Sequence, residues 1–468
     1  MLRKKPVLQL RFATGLLGFF RFCSGWQKGL LAVVESIETT LRIWAATLHD
    51  VKSRIRRLFP QERVAISAGL FLEGLLRDEH RKTGWMRAEA AGDPGPWRQQ
   101  AILGRAKWDA DLLRDIVRKF ALETLADNDA VLAIDETGFI KQGKTSCGVA
   151  RQVNGSTGKM ANCQIGLFGA YVSKHGYAFI DRALYLPKAW TDDPSRLART
   201  HVPAGIPFAT KSHLALEMIG RAQAADVPFN WVAADRILGG ADVEMTLRRW
   251  CKGYVLGVSP NHHFGCQTAT GGTAEEIARN IDPCLWRSLP LEEGGESSEA
   301  WAYCPFPELD VAEHDKTRSG LWTPALLVHR EANRVLRYFS TWSPAGTPID
   351  TLIAVQQCCG IAQEGLRAAK TELGLDHNET RSWHGWHRHV SLVMLACAMM
   401  ATVRHKSRQE PVGAIGRFMV PSRRADRLPR TSAKPASASQ AARTTVSRQD
   451  QPCECHRNPV PADRSAKK

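Results

Sequence analysis

Two aspartates close short apolar runs that lie far apart in the chain. Asp135 ends the run VLAID, and Asp235 ends the run WVAAD one hundred residues later. Such runs predict buried strands, and carboxylates at the carboxyl ends of strands lie at the sheet edge where ligands bind. Their oxygens suit Mg²⁺, which keeps several of its waters. Taken alone, the same two positions also fit helix caps and turn residues.

A second pattern, Gly138–Thr145, satisfies the phosphate-loop consensus G-x-x-x-x-G-K-[ST]. A phosphate loop must open into a helix, because the helix N-terminus cradles the phosphates. The residues after Thr145 instead predict a strand that reaches the hairpin signal Asn154-Gly155. We therefore expect strand and turn here rather than a nucleotide site.

Histidines and cysteines offer weaker patterns. His384, His387 and His389 could suggest a metal cluster, but their spacing does not place all three on one helix face. The chain has 12 cysteines and no C-x-x-C pair, which argues against a zinc ribbon or finger. A disulfide framework is also not expected in a chain of 468 residues.

The elements that position these residues change type along the chain. Helical periodicity dominates residues 30–130, with a break at the Gly-Pro-rich stretch 92–96. From residue 131 onward, apolar runs predict strands at 131–135, 147–153, 162–172, 177–186, 231–235 and 253–259, with helices at 211–225 and 242–251. Residues 260–345 predict a β-rich insertion, and residues 350–405 return to helix.

Positive charge is concentrated at the two ends of the chain. Residues 1–60 carry a net charge of +8 and residues 401–468 carry +10, whereas residues 61–400 carry −2. Basic ends on a balanced body favour a polyanionic partner, nucleic acid first and an anionic membrane second, although solvated tails remain an alternative. The tail 406–468 is poor in large apolar residues and is predicted to be disordered.

The N-terminal run 7–20 loosely imitates a signal peptide because it follows a basic start. Arg11 interrupts the apolar run, no small-residue cleavage motif follows, and the run is too short to cross a bilayer. We interpret it as an amphipathic helix or as translation from a start codon placed too far upstream. No other run reaches 18 apolar residues, so we expect a soluble, cytoplasmic protein with no membrane partner.

Several blocks in a fixed order resemble the DDE-type insertion-sequence transposases of the DDE superfamily endonuclease group. They are GWMRAEAAGDPGPWRQQAILGRAKWDADLLRD at 84–115, IDETGFIKQGKTSCGVARQ and NCQIG within 134–166, ALYLPKAWTDDPSR at 183–196, FATKSHLALEMI and VPFNWVAADRILGG within 208–240, and KTELGLDHNETRSWHGWHRHVSLVMLA at 370–396. The resemblance spans roughly residues 46–405. It leaves residues 1–45 and the C-terminal tail outside.

The resemblance implies an RNase H-like α/β core with a D, D, E triad. Asp135 matches the first aspartate of that triad and Asp235 the second. Together with the glutamate, they would hold two Mg²⁺ or Mn²⁺ ions, which lie about 3.5–4 Å apart in two-metal sites. Lys370 matches a family lysine that is expected near a DNA phosphate. Because His384, His387 and His389 are part of a family block, we predict that they pack in the core or contact DNA.

The glutamate of the triad is harder to place. The family pattern puts an arginine at Cys359 and the glutamate at Gln363, and both are replaced here. The nearest carboxylate is Glu364, which we take as the candidate, but one step along a helix turns a side chain by about 100°. A helix shift or a π-bulge would be needed. Glu372 is a third candidate, and a local sequence corruption or a broken triad are the alternatives.

The resemblance thus predicts a DNA transposase that cleaves transposon ends and transfers the strand into target DNA. Its predicted domains are an extra segment at 1–45, a helical DNA-end-binding region at 46–130, an RNase H-like domain at 131–405 and a basic tail at 406–468. The implied partners are double-stranded DNA, as terminal inverted repeats and target, and a second copy of the chain. We expect a bacterial, nucleoid-associated protein. The alternative is a decayed remnant that binds DNA without cleaving it.

Overall fold

The computed structural model describes residues 30–155, 158–264, 272–288, 299–306 and 321–409. The run 7–20 and the tail beyond residue 409 lie outside the described residues. Chain contacts divide the protein into two units, Met1–Ala414 and Ile415–Lys468, and all described residues belong to the first. Among the described residues, no helix is long and apolar enough to cross a bilayer.

Among the described residues, five helices precede the first strand, where the sequence predicts helix. They are α1 Leu30–Arg56, α2 Glu62–Leu76, α3 Gly84–Ala91, α4 Trp97–Gly104 and α5 Ala110–Leu125. The predicted break separates α3 from α4, and Gly92 ends α3 in the left-handed conformation with φ 73°. Asp109 begins α5 by accepting a hydrogen bond from the backbone N–H of Asp111.

Strands and helices then alternate through the centre of the chain. They are β1 Val131–Ile140, β2 Ala150–Val153, β3 Met160–Ser173, β4 Gly176–Tyr185, α6 Lys188–Thr191, α7 Pro194–Arg199, α8 Lys211–Ala224, β5 Trp231–Ala234, α9 Ala241–Arg249 and β6 Gly253–Val258. β1 is buried along nearly its whole length, so its sequence lacks the alternation of a half-exposed strand. β1 also extends five residues beyond the predicted end at Asp135.

The predicted β-rich stretch holds short strands and one helix, followed by two long helices. They are β7 His263–Phe264, β8 Gly272–Thr273, α10 Ala274–Arg279, β9 Arg287–Ser288, β10 Ala300–Pro305, β11 Trp322–Arg330, β12 Leu336–Pro344, α11 Ile349–Leu373 and α12 Trp383–Gln409. α12 continues four residues into the stretch predicted as tail, 406–468.

One mixed sheet of ten strands organises the unit. Its order is β2-β3-β1-β5-β6-β12-β11-β10-β9, and β4 also pairs with β3. β1, β5 and β6 are parallel to one another. On the β1 side, β3 runs antiparallel to β1 and β4 runs antiparallel to β3. On the β6 side, β12, β11, β10 and β9 follow in that order, each antiparallel to the strand before it. Strands β9 to β12 of the predicted insertion therefore continue the central sheet through the β6–β12 pair, whereas β7 and β8 pair with each other in a separate sheet.

Helices cover this sheet and close the main hydrophobic core. α11 packs on β1, β5 and β6, whereas α12 packs on β4 and on the helices α1 and α5. A smaller apolar cluster lies where α10 covers β11 and β12, with Ala274, Leu326 and Tyr338 among its members. Since α11 crosses the strands that carry both aspartates, its register decides which of its side chains can approach them.

Candidate active site

The strand pairing brings Asp135 and Asp235 to one place. β1 and β5 are parallel neighbours, and their last register pair is Ile134 with Ala234. Each aspartate is the next residue along the chain: Asp135 lies within β1, and Asp235 directly follows the end of β5, so the two occupy adjacent positions. Parallel partners in register place their side chains on the same face of the sheet. The structure thus joins the two aspartates that the sequence singled out.

A glycine on the neighbouring strand leaves room for the Asp235 backbone. Gly257 of β6 lies so close that a Cβ atom there would stand 3.0 Å from the backbone nitrogen of Arg236 and 3.2 Å from the Cα of Asp235. The chain then turns through a short 3-10 helix, Arg236–Leu238, before α9. The close approach holds the Asp235 backbone against the end of the sheet.

Asp135 is buried and lies close to the negative charge of Asp235. Its side chain is 7% exposed, and its Oδ1 accepts a hydrogen bond of 2.8 Å from the backbone N–H of Glu136. Burial raises the pKa of Asp135 to about 7, and the negative charge of Asp235 adds to this rise. The mutual repulsion of two close carboxylates is the situation that a bound cation relieves.

Lys370 of α11 lies close enough to Asp135 to interact with its charge. Its Nζ donates a hydrogen bond of 2.8 Å to the carbonyl oxygen of Gly138 in β1. Burial lowers the pKa of Lys370, and the charge of Asp135 partly offsets this effect. The lysine is half-buried and bound to a β1 carbonyl. Contact with a DNA phosphate therefore stays a prediction.

A second cation approaches from the β-rich stretch. Arg337, the second residue of β12, places its Nη1 4.0 Å from Oδ2 of Asp235, while its Nε forms an ion pair with Glu331. Sequence analysis missed Arg337 and Glu331. No local motif marks them, since the β6–β12 pairing alone brings this hairpin beside β5.

Glu364 does not join the two aspartates. It is 64% exposed and forms an ion pair with Arg367, three residues along the same helix. Gln363 precedes Lys370 by seven residues, so the two side chains leave the helix axis in directions that differ by about 20°. Glu364 precedes Lys370 by six residues, so its side chain points about 120° away from that of Lys370. Every residue of α11 is α-helical, so the shift or π-bulge that Glu364 would need is not present.

The donor set at this edge is therefore a pair of aspartates. Within the described ranges, no three or more His, Cys, Asp or Glu side chains gather into a group that could hold a metal ion. Two carboxylates fit one Mg²⁺, because this ion keeps several of its waters. The catalytic and metal-binding role of Glu364 stays a prediction.

The phosphate-loop pattern does not form a phosphate loop. Gly138 lies inside β1, and a loop followed by β2 takes the place of the helix that should come after Thr145. The hairpin between β2 and β3 is also longer than a two-residue turn, because its nearest register pair is Val153 with Met160. Strand and turn here match the expectation from the sequence.

The histidine cluster belongs to the interior. His387 and His389 are buried on α12, and burial lowers the pKa of each to about 3. His389 lies within hydrogen-bond distance of the Gly374 carbonyl oxygen, at 3.0 Å. His384 lies 3.0 Å from the Gly104 carbonyl oxygen at the end of α4. These contacts join helices and agree with the prediction of packing in the core.

A family comparison covers the region that carries both aspartates. Residues 58–266 match the model of the family described as DDE superfamily endonuclease. The matched region ends before α11, so Gln363, Glu364 and Lys370 lie outside it.

Comparison with individual proteins agrees with this assignment. The chain is 26% identical over 212 residues to the probable transposase for insertion sequence element IS701 of Microchaete diplosiphon, covering 44% of this chain. It spans about half of that relative, 52% of its length. The predicted resemblance to DDE-type insertion-sequence transposases is thereby confirmed.

A solved structure also aligns with part of the chain. The NurA nuclease from Sulfolobus solfataricus aligns over 54% of this chain and 81% of its own, with 10% identity and a TM-score of 0.23. A TM-score this low carries no argument about the fold.

Proposed function

We propose that this chain is a DNA transposase that cleaves transposon ends and transfers the cut strand into target DNA. The observation that carries the proposal is the adjacent placement of Asp135 and Asp235 where the pairing of β1 with β5 ends, within the region that matches the DDE superfamily endonuclease model. The curated relative, which is described as a probable transposase, supports the same class of reaction.

The strand order supports an RNase H-like core. An antiparallel meander of β1, β3 and β4 is followed by β5 and β6, which run parallel to β1 on its other side. The resulting order, β4-β3-β1-β5-β6, places the first aspartate on the central strand and the second on its parallel neighbour. The remaining strands extend this core on the β6 side.

The proposed cofactor is Mg²⁺ or Mn²⁺, held by Asp135 and Asp235. A divalent cation bound there supplies Lewis-acid activation of a phosphodiester and of the attacking oxygen. The two carboxylates fit one such ion. The second ion that the resemblance implies would need the third carboxylate, for which Glu364 is the candidate.

The residues of the chain have distinct parts in this proposal. Asp135 and Asp235 fix the position of the scissile phosphodiester through the ion that they hold, and Lys370 lies where it could neutralise a nearby phosphate. In the first step, the oxygen of water forms a bond to phosphorus while the bond from phosphorus to the 3′ oxygen at the element end breaks. In the second step, the freed 3′-hydroxyl forms a bond to a target phosphorus while a target phosphodiester bond breaks.

The proposed partners are DNA and a second copy of the chain. The basic stretches 1–60 and 401–468 would add salt-sensitive affinity that does not depend on sequence. Double-stranded terminal inverted repeats and target DNA are the proposed substrates. A dimer that holds paired ends is the proposed active form.

A second candidate function has its own supporting observation. Glu364 is exposed and paired with Arg367, while Gln363 has the helical direction of Lys370. A site that lacks its third carboxylate would bind DNA without cutting it. The alternative is therefore a decayed transposase that retains the fold and DNA binding.

The test is cleavage of DNA that bears the flanking repeats of the element, with Mg²⁺ or Mn²⁺. The wild-type chain is compared with Asp135→Ala, Glu364→Ala, Glu372→Ala and Gln363→Glu. The transposase proposal expects cleavage by the wild-type chain that Asp135→Ala abolishes. Glu364→Ala and Glu372→Ala distinguish the two candidate glutamates, because both are exposed residues of α11.

The outcomes separate the two functions. Loss of cleavage in Glu364→Ala, with activity kept in Glu372→Ala, would support Glu364 as the third acid. No cleavage by the wild-type chain, restored by Gln363→Glu, would support the decayed transposase. No cleavage by any variant, despite DNA binding, would leave only the binding function.

A further inference from the structure

Arg337 lies between two carboxylates, and the triad implied by the resemblance includes just one of them. Its Nη1 is 4.0 Å from Oδ2 of Asp235, and its Nε is paired with Glu331. The side chain of Arg337 is 49% exposed, compared with 34% for Asp235 and 23% for Glu331. The guanidinium thus stands at the open side of the aspartate pair, where a cation from solution would arrive.

The backbone fixes this arrangement. β12 runs antiparallel to β6 with Tyr338 opposite Val258, so the start of β12 lies at the edge where β5 ends. The turn between β11 and β12 is closed by two hydrogen bonds, from the N–H of Glu331 to Val335 O at 2.9 Å and from the N–H of Arg334 to Glu331 O at 2.8 Å. Glu331 and Arg337 are therefore held on one rigid hairpin.

Two positive side chains already lie near the aspartates. Lys370 offsets part of the charge on Asp135, and Arg337 lies beside Asp235. A divalent cation between the carboxylates would meet two positive charges. Repulsion between unit charges about 4 Å apart is appreciable even in water and stronger near a protein surface. The cation nearest the open side should therefore influence metal affinity most.

We propose that Arg337 is the resident counter-cation of Asp235 and sets the affinity of the aspartate pair for a divalent cation. The inference rests on the proposed function, since it takes the pair as a metal site. Glu331 has the opposite effect, because it draws the guanidinium away from Asp235. The β11–β12 hairpin thereby sets the metal affinity of a site whose ligands lie elsewhere in the sheet.

The opposed effects of Arg337 and Glu331 define the experiment. Purified full-length protein is titrated with MnCl₂, and free Mn²⁺ is followed by electron paramagnetic resonance. Arg337→Gln should bind Mn²⁺ about five- to tenfold more tightly than the wild-type chain, because one nearby positive charge is lost. Glu331→Gln should bind it more weakly, because the guanidinium then has Asp235 as its remaining partner.

Arg334→Gln is the matched control. Arg334 is an exposed arginine in the same turn, so it reports the effect of net charge without the contact to Asp235. Its Mn²⁺ affinity should stay within about twofold of wild type, since distant exposed charges are screened. Thermal unfolding of each variant verifies that the fold is kept.

Two results would overturn different statements. Unchanged or weaker Mn²⁺ binding in Arg337→Gln, or equal changes in Arg337→Gln and Arg334→Gln, would overturn the role of Arg337 while leaving the metal site intact. Mn²⁺ binding that Asp135→Asn does not weaken would instead overturn the aspartate pair as the metal site. In that case the proposed function and this inference would fail together.

Discussion

Asp135 and Asp235 differ in their surroundings although both follow short apolar runs. Asp135 is 7% exposed, whereas the Asp235 side chain is 34% exposed and has Arg337 nearby. Burial raises the pKa of Asp135 to about 7, so this carboxyl is not fully ionised near neutral pH unless a cation offsets the cost. The two aspartates are therefore unequal: one is shielded in the sheet and the other is open to solvent.

The closeness of Gly257 to the Asp235 backbone gives a prediction at this scale. Gly257→Ala would place a Cβ 3.0 Å from the Arg236 nitrogen and 3.2 Å from the Asp235 Cα, so the Asp235 turn must move. We expect the free energy of unfolding to fall by about 1–3 kcal/mol and Mn²⁺ affinity to drop. Urea unfolding and Mn²⁺ titration measure the two effects.

Gly143→Ala is the control for this substitution, because a Cβ at that loop position meets no heavy atom within 4 Å. Its stability should stay within about 0.5 kcal/mol of wild type. Equal Mn²⁺ affinity in Gly257→Ala and Gly143→Ala would show that the position of the Asp235 backbone does not matter to the metal site.

Among the elements, α12 joins the helical N-terminal region to the sheet. It packs on β4 and also on α1, α4 and α5. Arg388 of α12 contributes to this packing and is 8% exposed. Its guanidinium donates hydrogen bonds to the Leu103 carbonyl oxygen at 3.0 Å and to the Trp108 carbonyl oxygen at 2.8 Å. The end of α4 and the loop before α5 thus depend on a side chain nearly three hundred residues away.

Replacement of Arg388 should weaken the contact of α12 with the end of α4 and the loop before α5. Arg388→Met keeps an unbranched apolar stem but leaves the carbonyl groups of Leu103 and Trp108 without their donor. We expect the free energy of unfolding to fall by about 2–4 kcal/mol, since each buried unpaired carbonyl costs about 1–3 kcal/mol. Amide hydrogen exchange should rise in residues 103–109.

The matched control is Arg249→Met, an exposed arginine at the end of α9. That variant should unfold within about 0.5 kcal/mol of wild type. A similar loss in both variants would mean that the hydrogen bonds of Arg388 do not hold the two regions together.

The whole molecule has a balanced body and basic ends. Residues 61–400, which carry both aspartates, have a net charge of −2, whereas the two ends are strongly positive. Because affinity for a polyanion depends on the number of phosphates neutralised, most of the nonspecific DNA affinity should come from the ends. The central region would then supply chemistry and positioning.

The C-terminal arginines give a prediction for this division of labour. Replacement of Arg423, Arg424, Arg427 and Arg430 by glutamine should weaken DNA binding and flatten its salt dependence. The slope of log K against log salt should fall by up to about 3.6, if each arginine neutralises one phosphate at about 0.9 per contact. Fluorescence anisotropy of labelled duplex DNA, recorded between about 50 and 200 mM salt, measures the slope.

A variant of equal size keeps the charge of the same segment. It replaces Thr431, Ser432, Ser437 and Ser439 by glutamine, and its slope should match wild type. If the arginine variant also kept the wild-type slope, the tail would not be a DNA contact.

The sequence by itself determined much of the local secondary structure of this protein and its resemblance to a family. The apolar runs predicted the strand that contains Asp135 and the strand that precedes Asp235, because buried parallel strands need continuous apolar residues. The lack of a helix after Thr145 was also predictable, since local strand and turn signals decide it. The family blocks pointed to the DDE superfamily endonucleases, and the match over residues 58–266 agrees.

The tertiary structure decided which residues meet. The neighbour relation of β1 and β5, and the arrival of Arg337 beside Asp235 through β6 and β12, depend on hydrogen bonds between distant strands. Local patterns do not encode such pairings, because sheet register is set by packing and by the elements between the strands. The orientation of Glu364 likewise follows from the regular register of α11 on the sheet, which turns it away from Lys370 and toward Arg367.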